Sequence, residues 1–187
     1  MVLHRPRKEG LGQAYCDGFR YAINKVKADI IVQMDADLSH PPEKLPQMIA
    51  AIQTADLVIG SRYISGGGTK NWNISRRIIS RFGAIYAKLW LDLPVHDPTG
   101  GFKVWRSDLL KHVLACPVIS DGYGFQVETT FIDRQLGAHI VEIPICFTDR
   151  HVGRSKMTAG IAFEAFWRIP LMRIRGRYAA KKADNNG

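Results

Sequence analysis

Asp29-Ile-Ile-Val-Gln-Met-Asp-Ala-Asp-Leu-Ser-His-Pro-Pro42 is the stretch whose reading decides the fold. Ile30–Met34 is a short apolar run with β-branched residues, which reads as a buried strand. The strand ends in Asp35-Ala-Asp37, and a prolyl turn leads to a helix from about Glu43 to Gln53 with prolines at its first turn. Asp56-Leu-Val-Ile-Gly60 is a second buried strand, followed by Ser61-Arg62-Tyr63. Strand, helix and strand in that order predict a parallel α/β unit, with carboxylates and an arginine at the carboxyl ends of its strands.

Other elements extend the pattern. Residues 12–27 carry Ala14, Phe19, Ala22, Ile23 and Val26 at helical spacing. Gly66-Gly-Gly68 reads as a mobile loop, 74–92 as a helix bearing Arg76, Arg77 and Arg81, and Asp97-Pro-Thr-Gly-Gly101 as a turn into a strand over 102–105. A short helix over 107–115, a helix over 125–136, a strand over 140–147, a basic loop over 150–156 and a last helix over 159–178 complete the chain. The expected class is α/β, a mostly parallel sheet flanked by helices. One domain covers residues 1–157, and a basic amphipathic tail covers 158–187.

The 187 residues are 46% hydrophobic and 23% charged, which excludes disorder, collagen and coiled coil as the main architecture. The net charge of +9 lies at the ends: residues 150–187 are +7, residues 1–27 are +4 and residues 28–149 are −2. A basic balance favours an anionic partner. Three scattered cysteines, Cys16, Cys116 and Cys146, fit reduced thiols better than a disulfide framework or a zinc site. The longest charge-free run, Leu45–Ala55, is eleven residues, well short of a membrane span of about 20.

Two carboxylates at a strand end suit a hard divalent cation that shares oxygen ligands with phosphate. The competing reading is a pair of solvated loop aspartates, which D-x-D alone leaves at roughly even odds. Arg62 falls on the same sheet edge, and guanidinium groups match phosphate oxygens. With Arg76, Arg77 and Arg81 it fits a pyrophosphate site, although Arg77 alone reads better as a solvated helix face. Asp121-Gly-Tyr-Gly-Phe-Gln-Val-Glu128 opens a helix from which Gln126 and Glu128 face a sugar or the metal shell; an Asp N-cap over a packed aromatic explains the pattern equally well. Arg150, Arg154 and Lys156 surround Gly153 as an anion lid. Of the six histidines, only His40 adjoins a candidate site. In the tail, Phe163, Phe166, Trp167, Leu171 and Ile174 share one side among Arg168, Arg173, Arg175 and Arg177, which suits an anionic membrane surface; a helix packed on the domain is the alternative.

Taken in series, Gly10-Leu-Gly-Gln-Ala14, Met34–Glu43, Gly60-Ser-Arg-Tyr63, Trp72 with Arg76 and Ser80-Arg81, Asp97–Phe102, Gly122–Gln126 and Gly153–Met157 resemble the dolichol-phosphate (polyprenol-phosphate) mannosyltransferases, a branch of the family 2 inverting glycosyltransferases. The resemblance covers roughly residues 7–170, and Ser39-His40 is closer to the mannose enzymes than to the glucosyl ones. It implies a GT-A fold, Rossmann-related, GDP-mannose as donor, a polyprenyl phosphate as acceptor and Mg²⁺ or Mn²⁺ as cofactor. It assigns Asp35, Asp37 and Ser39 to the metal. Asp35, Asp37, Arg62, Arg150 and Lys156 fall to the donor diphosphate, and Arg76, Ser80 and Gln126 to the acceptor. Asp37, Arg62 and Arg76 carry the catalytic load in this scheme. A place on the cytoplasmic face of a membrane, held by the basic tail, follows from the lipid acceptor.

The family's opening strand of the type V-I-P-T-Y-N-E and its D-D-G-S have no counterpart among these residues, so the nucleoside pocket has no assignable residue and the chain alone is expected to be weak or inactive. Related hexosyl transfer and a truncated, inactive relative are the nearest alternatives. A nucleic-acid module is disfavoured, because the central stretch is net acidic and strand-end carboxylates repel a phosphate backbone.

Overall fold

A computed structural model describes residues 2–7, 9–120, 122–149 and 167–174 of the chain. Helix α1 (Leu11–Tyr21) continues into one wider turn over Ala22–Val26, which Lys27 closes in the left-handed conformation. Strand β1 (Ile30–Gln33) leads through a 3-10 turn, Pro42–Lys44, to α2 (Leu45–Ala51) and β2 (Leu57–Ser61). Then come β3 (Gly68–Lys70), α3 (Ile74–Leu91), β4 (Lys103–Arg106), α4 (Ser107–Ala115), α5 (Gly122–Gln135), β5 (Ile140–Pro144) and β6 (Cys146–Thr148). Residues 167–174 are helical.

The main sheet has the order β1-β4-β2-β5. β2 pairs in parallel with β5, and β4 runs antiparallel to both β1 and β2. Three of the four strands therefore point the same way, as an α/β reading requires. β1 and β2 are not neighbours, however; β4 fills the space that the α2 crossover leaves between them. Alternation along the strands feeds two cores. Leu57, Ile59 and Trp105 pack with Phe19, Leu110 and Phe125 on one face. Val58, Val104 and Ile143 pack with Met48 and Ile52 of α2 on the other. Burial on both faces explains why β2 reads as a continuous apolar run.

Two expectations change. The glycine stretch is built into structure rather than loose: β3 pairs in parallel with β6, and the Gly67 and Gly68 N–H groups donate to the Ile64 and Ile145 carbonyls. A side-chain carbon at Gly67 would stand 2.6 Å from the Ser61 carbonyl oxygen, so glycine is there for close backbone approach. The strand expected over 140–147 breaks at Ile145, which sends its last part to the second sheet. Of the tail helix expected over 159–178, residues 159–166 and 175–178 lie outside the described residues. Within the described part, Ile169 and Met172 are buried in the main core, while Trp167, Leu171 and Ile174 are exposed.

One buried polar pair lies under the sheet. Lys103 Nζ donates to the Gln126 carbonyl at 2.9 Å and to the Thr129 and Thr130 hydroxyls at 3.0 Å. The Asp133 carboxylate on α5 is buried, with no hydrogen-bond partner among the described residues. Burial pushes Asp133 up to about 8, with Lys103 opposing and Asp56 adding. Burial likewise pushes Lys103 down to about 8, against the pull of Asp133 and Asp97. Between about pH 4 and 8 the folded chain keeps a proton at Asp133 that the unfolded chain has released, so this group makes stability fall as pH rises through that window. Asp133→Asn should remove that slope: the melting temperature of the variant should gain on the parent from pH 5 to pH 8. Parallel profiles in a pH series of thermal melts would refute it.

Candidate active site

The turn after β1 is held from several directions. The Tyr15 hydroxyl donates to Asp35 Oδ1 at 3.3 Å, and the Ser39 N–H donates to Asp37 Oδ1 at 3.1 Å. The Asp35 N–H donates to His40 Nδ1 at 2.9 Å, which leaves the imidazole proton on Nε2. His40 is buried, stacks on Phe102 and meets Phe147 edge-on. Burial lowers its pKa, opposed by Asp35 and assisted by Arg62, so the ring is neutral. Asp35 Oδ2 lies 4.0 Å from His40 Nδ1. Burial, then the neighbouring Asp35, pushes the Tyr15 phenol far up and keeps it a donor. Asp37 is exposed and Asp35 half-buried. Ser39 is buried, and its carbonyl takes the Thr148 N–H, so its backbone fixes the turn.

Arg62 sits directly after β2, as expected, but its partner is internal. Its Nε and Nη2 hold the two oxygens of Asp97 at 2.7 Å each, and Nη2 also reaches the Thr99 hydroxyl. Asp97 is fully buried. Burial alone would raise its carboxyl; the Arg62 charge and the hydrogen bonds from Arg62 and Thr99 outweigh that and hold it below the usual carboxylate value. The guanidinium also lies against the Tyr63, Trp72 and Phe147 rings. Arg76, in the first turn of α3, lies 4.1 Å over the Trp72 ring and pairs with Asp149. Its Nε and the Trp72 Nε1 are buried donors with no partner among the described residues. One turn on, Ser80 receives the Tyr63 hydroxyl at 2.6 Å. Ser80, Arg76 and Arg62 thus share one aromatic-lined patch, which Phe147 joins to His40 and the aspartate turn.

Gln126 is buried at the start of α5, where its Oε1 accepts from Gln33 Nε2 at 2.8 Å. Its amide nitrogen faces Gly101 beside His40: a side-chain carbon at Gly101 would meet His40 Cε1 at 3.5 Å and Gln126 Nε2 at 3.6 Å. Glu128 is a correction. Its carboxylate accepts the Ile119 and Ser120 N–H groups, the latter at 2.7 Å, so it closes the loop before α5 and does not face a sugar or a metal. Arg150, Arg154 and Lys156 lie outside the described residues. Sequence reasoning missed Asp97 as the Arg62 partner, Tyr15 as the Asp35 clamp and Phe147 as the connecting ring. The only signal for Asp97 was an aspartate opening a Pro-Gly turn, which a turn alone explains.

Among the described residues no three His, Cys, Asp or Glu side chains are grouped to hold a metal ion. The candidate donors are two carboxylates, Asp35 and Asp37, one of them exposed, at the carboxyl end of β1, which lies at the end of the sheet with Val32 exposed rather than buried throughout as the sequence suggested. That set fits a hard divalent cation whose remaining ligands are phosphate and water, and does not fit a closed structural metal site.

Comparison with known proteins places the chain in a family. The profile of glycosyl transferase family 2 matches residues 1–114. An undecaprenyl-phosphate mannosyltransferase of Micrococcus luteus is 44% identical over 182 residues, covering 97% of this chain and 74% of that protein. A polyprenol monophosphomannose synthase of Mycolicibacterium smegmatis is 39% identical over 177 residues, 94% of this chain and 66% of that one. Among solved structures, a mycobacterial protein superposes with a TM-score of 0.61 at 19% identity. Glucosyl-3-phosphoglycerate synthase from Mycobacterium tuberculosis, solved with Mn²⁺ and UDP-glucose, does so at 0.56 and 19%. The chain spans 53% and 55% of those two structures, which share its fold. The chain belongs to glycosyl transferase family 2.

Replacing Asp97 with Asn leaves the buried Arg62 charge without its counter-ion. Breaking one partner of such a pair costs about 3–5 kcal/mol, so the variant should melt well below the parent at neutral pH. Because the Asp97 pKa is depressed, its contribution is present above the ordinary carboxylate value and is lost as pH falls through the lowered one. The gap between parent and variant should therefore close in acid. An unchanged melting temperature at pH 7 would refute the role given to this pair.

Proposed function

We propose that this chain transfers mannose from GDP-mannose to a polyprenyl phosphate, with inversion at the anomeric carbon, on the cytoplasmic face of a membrane. The observation that carries the reading is the 44% identity, over 97% of the chain, to a protein named undecaprenyl-phosphate mannosyltransferase. The geometry supports it: His40 and Phe147 join two carboxylates at a strand end to a patch with Arg62, Arg76 and two buried donors that have no partner among the described residues, which suits a reaction between two phosphate-bearing substrates.

In this reading an acceptor phosphate oxygen attacks the anomeric carbon while the bond to the GDP oxygen breaks, and the electron pair leaves on the diphosphate. A phosphate is already ionised near neutrality, so no strong general base is needed, and neutral His40 is free to act by position alone. Asp35 and Asp37 would hold Mg²⁺ or Mn²⁺, which when bound neutralises the departing diphosphate. Ser39 supports that turn through its backbone. Arg76, Trp72 Nε1 and Ser80 orient the acceptor phosphate, and Gln126 Nε2 donates toward the sugar from beside Gly101. Arg62, neutralised by Asp97, shapes the floor between donor and acceptor; Arg150 and Lys156, which lie outside the described residues, are assigned to the donor diphosphate.

The test is transfer of labelled mannose from GDP-mannose to a short polyprenyl phosphate, with UDP-glucose as the competing donor. Transfer, slow for this chain by itself, should require Mg²⁺ or Mn²⁺ and stop with chelator. Asp37→Ala should lower it at least about 100-fold, since the diphosphate then leaves without its counter-charge. Faster transfer of glucose would favour the related hexosyl reaction, and undiminished transfer by the variant would refute the assigned role of Asp37.

A further inference from the structure

In the antiparallel ladder of β1 and β4, Gln33 stands opposite Lys103. Side chains alternate along a strand, so Gln33, Lys103 and Trp105 project from one face of the sheet, beneath α5. These three and Gln126 of α5 are buried, and their hydrogen bonds run in one direction. An indole N–H only donates, and Trp105 Nε1 reaches Gln33 Oε1 at 3.3 Å. With Oε1 engaged as acceptor, Gln33 meets Gln126 through its amide nitrogen, and Nε2 donates to Gln126 Oε1 at 2.8 Å. The outer end of the Gln126 amide is then Nε2, on the side of Gly101 and the His40 ring. Reversing Gln126 alone would set two amide nitrogens against each other. Reversing Gln33 as well would set a nitrogen against the Trp105 N–H. The indole thus decides the orientation of an amide that it does not touch. The Gln126 backbone is held separately: its carbonyl accepts from Lys103 Nζ and from the Thr129 and Thr130 hydroxyls.

We propose that Trp105 and Gln33 are positioning residues that set the Gln126 amide with its NH₂ group toward the substrates, so that the site selects a hydrogen-bond acceptor at that point. The proposal rests on the transferase reading of Gln126 above. The NH₂ group pairs with a sugar hydroxyl or with a phosphate oxygen, because both accept. A reversed amide would offer a carbonyl oxygen, which repels a phosphate oxygen and takes a hydroxyl only as donor. A donor whose direction is fixed before the substrate arrives needs no reorganisation during the reaction. Gly101 keeps the approach open, since a side-chain carbon there would fill the space beside Gln126 Nε2 and His40 Cε1.

Isotopic labelling of the glutamine side-chain amides reads the orientation by NMR without turnover. In the parent, the Gln126 NH₂ protons should show NOEs to the Gly101 Hα protons. Trp105→Phe keeps an aromatic ring and loses the donor, so the amide can turn and those NOEs should weaken. Gln33→Met keeps the side-chain length and loses both polar atoms; it should do the same, and it serves if the core variant fails to fold. Transfer from GDP-mannose and its deoxy and deoxyfluoro analogues then finds the recognised oxygen. Fluorine accepts a hydrogen bond weakly and donates none, so the parent should prefer one fluoro analogue to the matching deoxy sugar. Either variant should cut that preference at least about threefold, within the worth of one net hydrogen bond. If the oxygen belongs to the acceptor phosphate, the preference stays flat and KM for a short polyprenyl phosphate rises by about as much, and the proposal stands. The Mg²⁺ concentration for half-maximal rate should not move. A shifted metal requirement with unchanged preference and KM would make these residues supports of the aspartate turn and overturn the proposal. So would variants that match the parent in NOEs and kinetics, or a parent whose Gln126 NH₂ protons face Gln33. The expected NOEs with no transfer of any sugar would overturn the transferase reading and leave the fixed amide standing.

Discussion

The bidentate pair between Arg62 and Asp97 is the interaction on which the rest of this structure hangs. It joins the carboxyl end of β2 to the turn that feeds β4. The backbone of that turn is fixed in its own right, because the Glu142 carboxylate on β5 accepts the His96 and Asp97 N–H groups. Three neighbouring strands are thus tied at one end by two carboxylates and a guanidinium. Asp97 has no access to water, so the pair holds only while its hydrogen bonds are complete; a buried carboxylate with one partner missing becomes a liability. The aromatic rings around Arg62 and the stack of His40 on Phe102 are arranged on this floor.

That arrangement separates charge from function in an instructive way. Arg62 and Arg76 look alike in sequence, two arginines following apolar segments. In the fold, one is neutralised by Asp97 inside the domain, and the other pairs with Asp149 while its buried Nε, beside the Trp72 indole nitrogen, has no partner among the described residues. Unpaired buried donors are costly, and proteins keep them where a ligand completes them. Both arginines are ion-paired, Arg62 with Asp97 and Arg76 with Asp149, and what sets Arg76 apart is its Nε beside the Trp72 indole.

Much of this was legible in the residue order. The apolar run before Asp35 and the prolines after it located β1 and α2. Asn73 before Ile74 is a good N-cap, and it accepts the Arg76 N–H. Three things were not legible. The insertion of β4 between β1 and β2 is a long-range pairing, and period and propensity report only on neighbours in sequence. The ordering of Gly66–Gly68 arises from contacts with β6, some eighty residues away, whereas local composition speaks for mobility. For Glu128 a glycine-rich helix start leaves a ligand and a plain capped helix equally open; its backbone partners at Ile119 and Ser120 are set by a loop shape that no motif encodes.

The position of β4 also constrains how the chain is made. β2 is buried along its whole length and β1 adds Ile31 to the core, yet the two touch each other nowhere in the sheet and meet only through residues 103–106. A ribosome adding about 5–20 residues per second must therefore translate past Arg106 before either strand can close its ladder. Until then both strands present bare edges next to a helix whose outer face is also apolar. The nascent chain passes through an interval in which its stickiest surfaces are exposed together, and during that interval holdase chaperones, or the bilayer itself, have their opportunity to engage it.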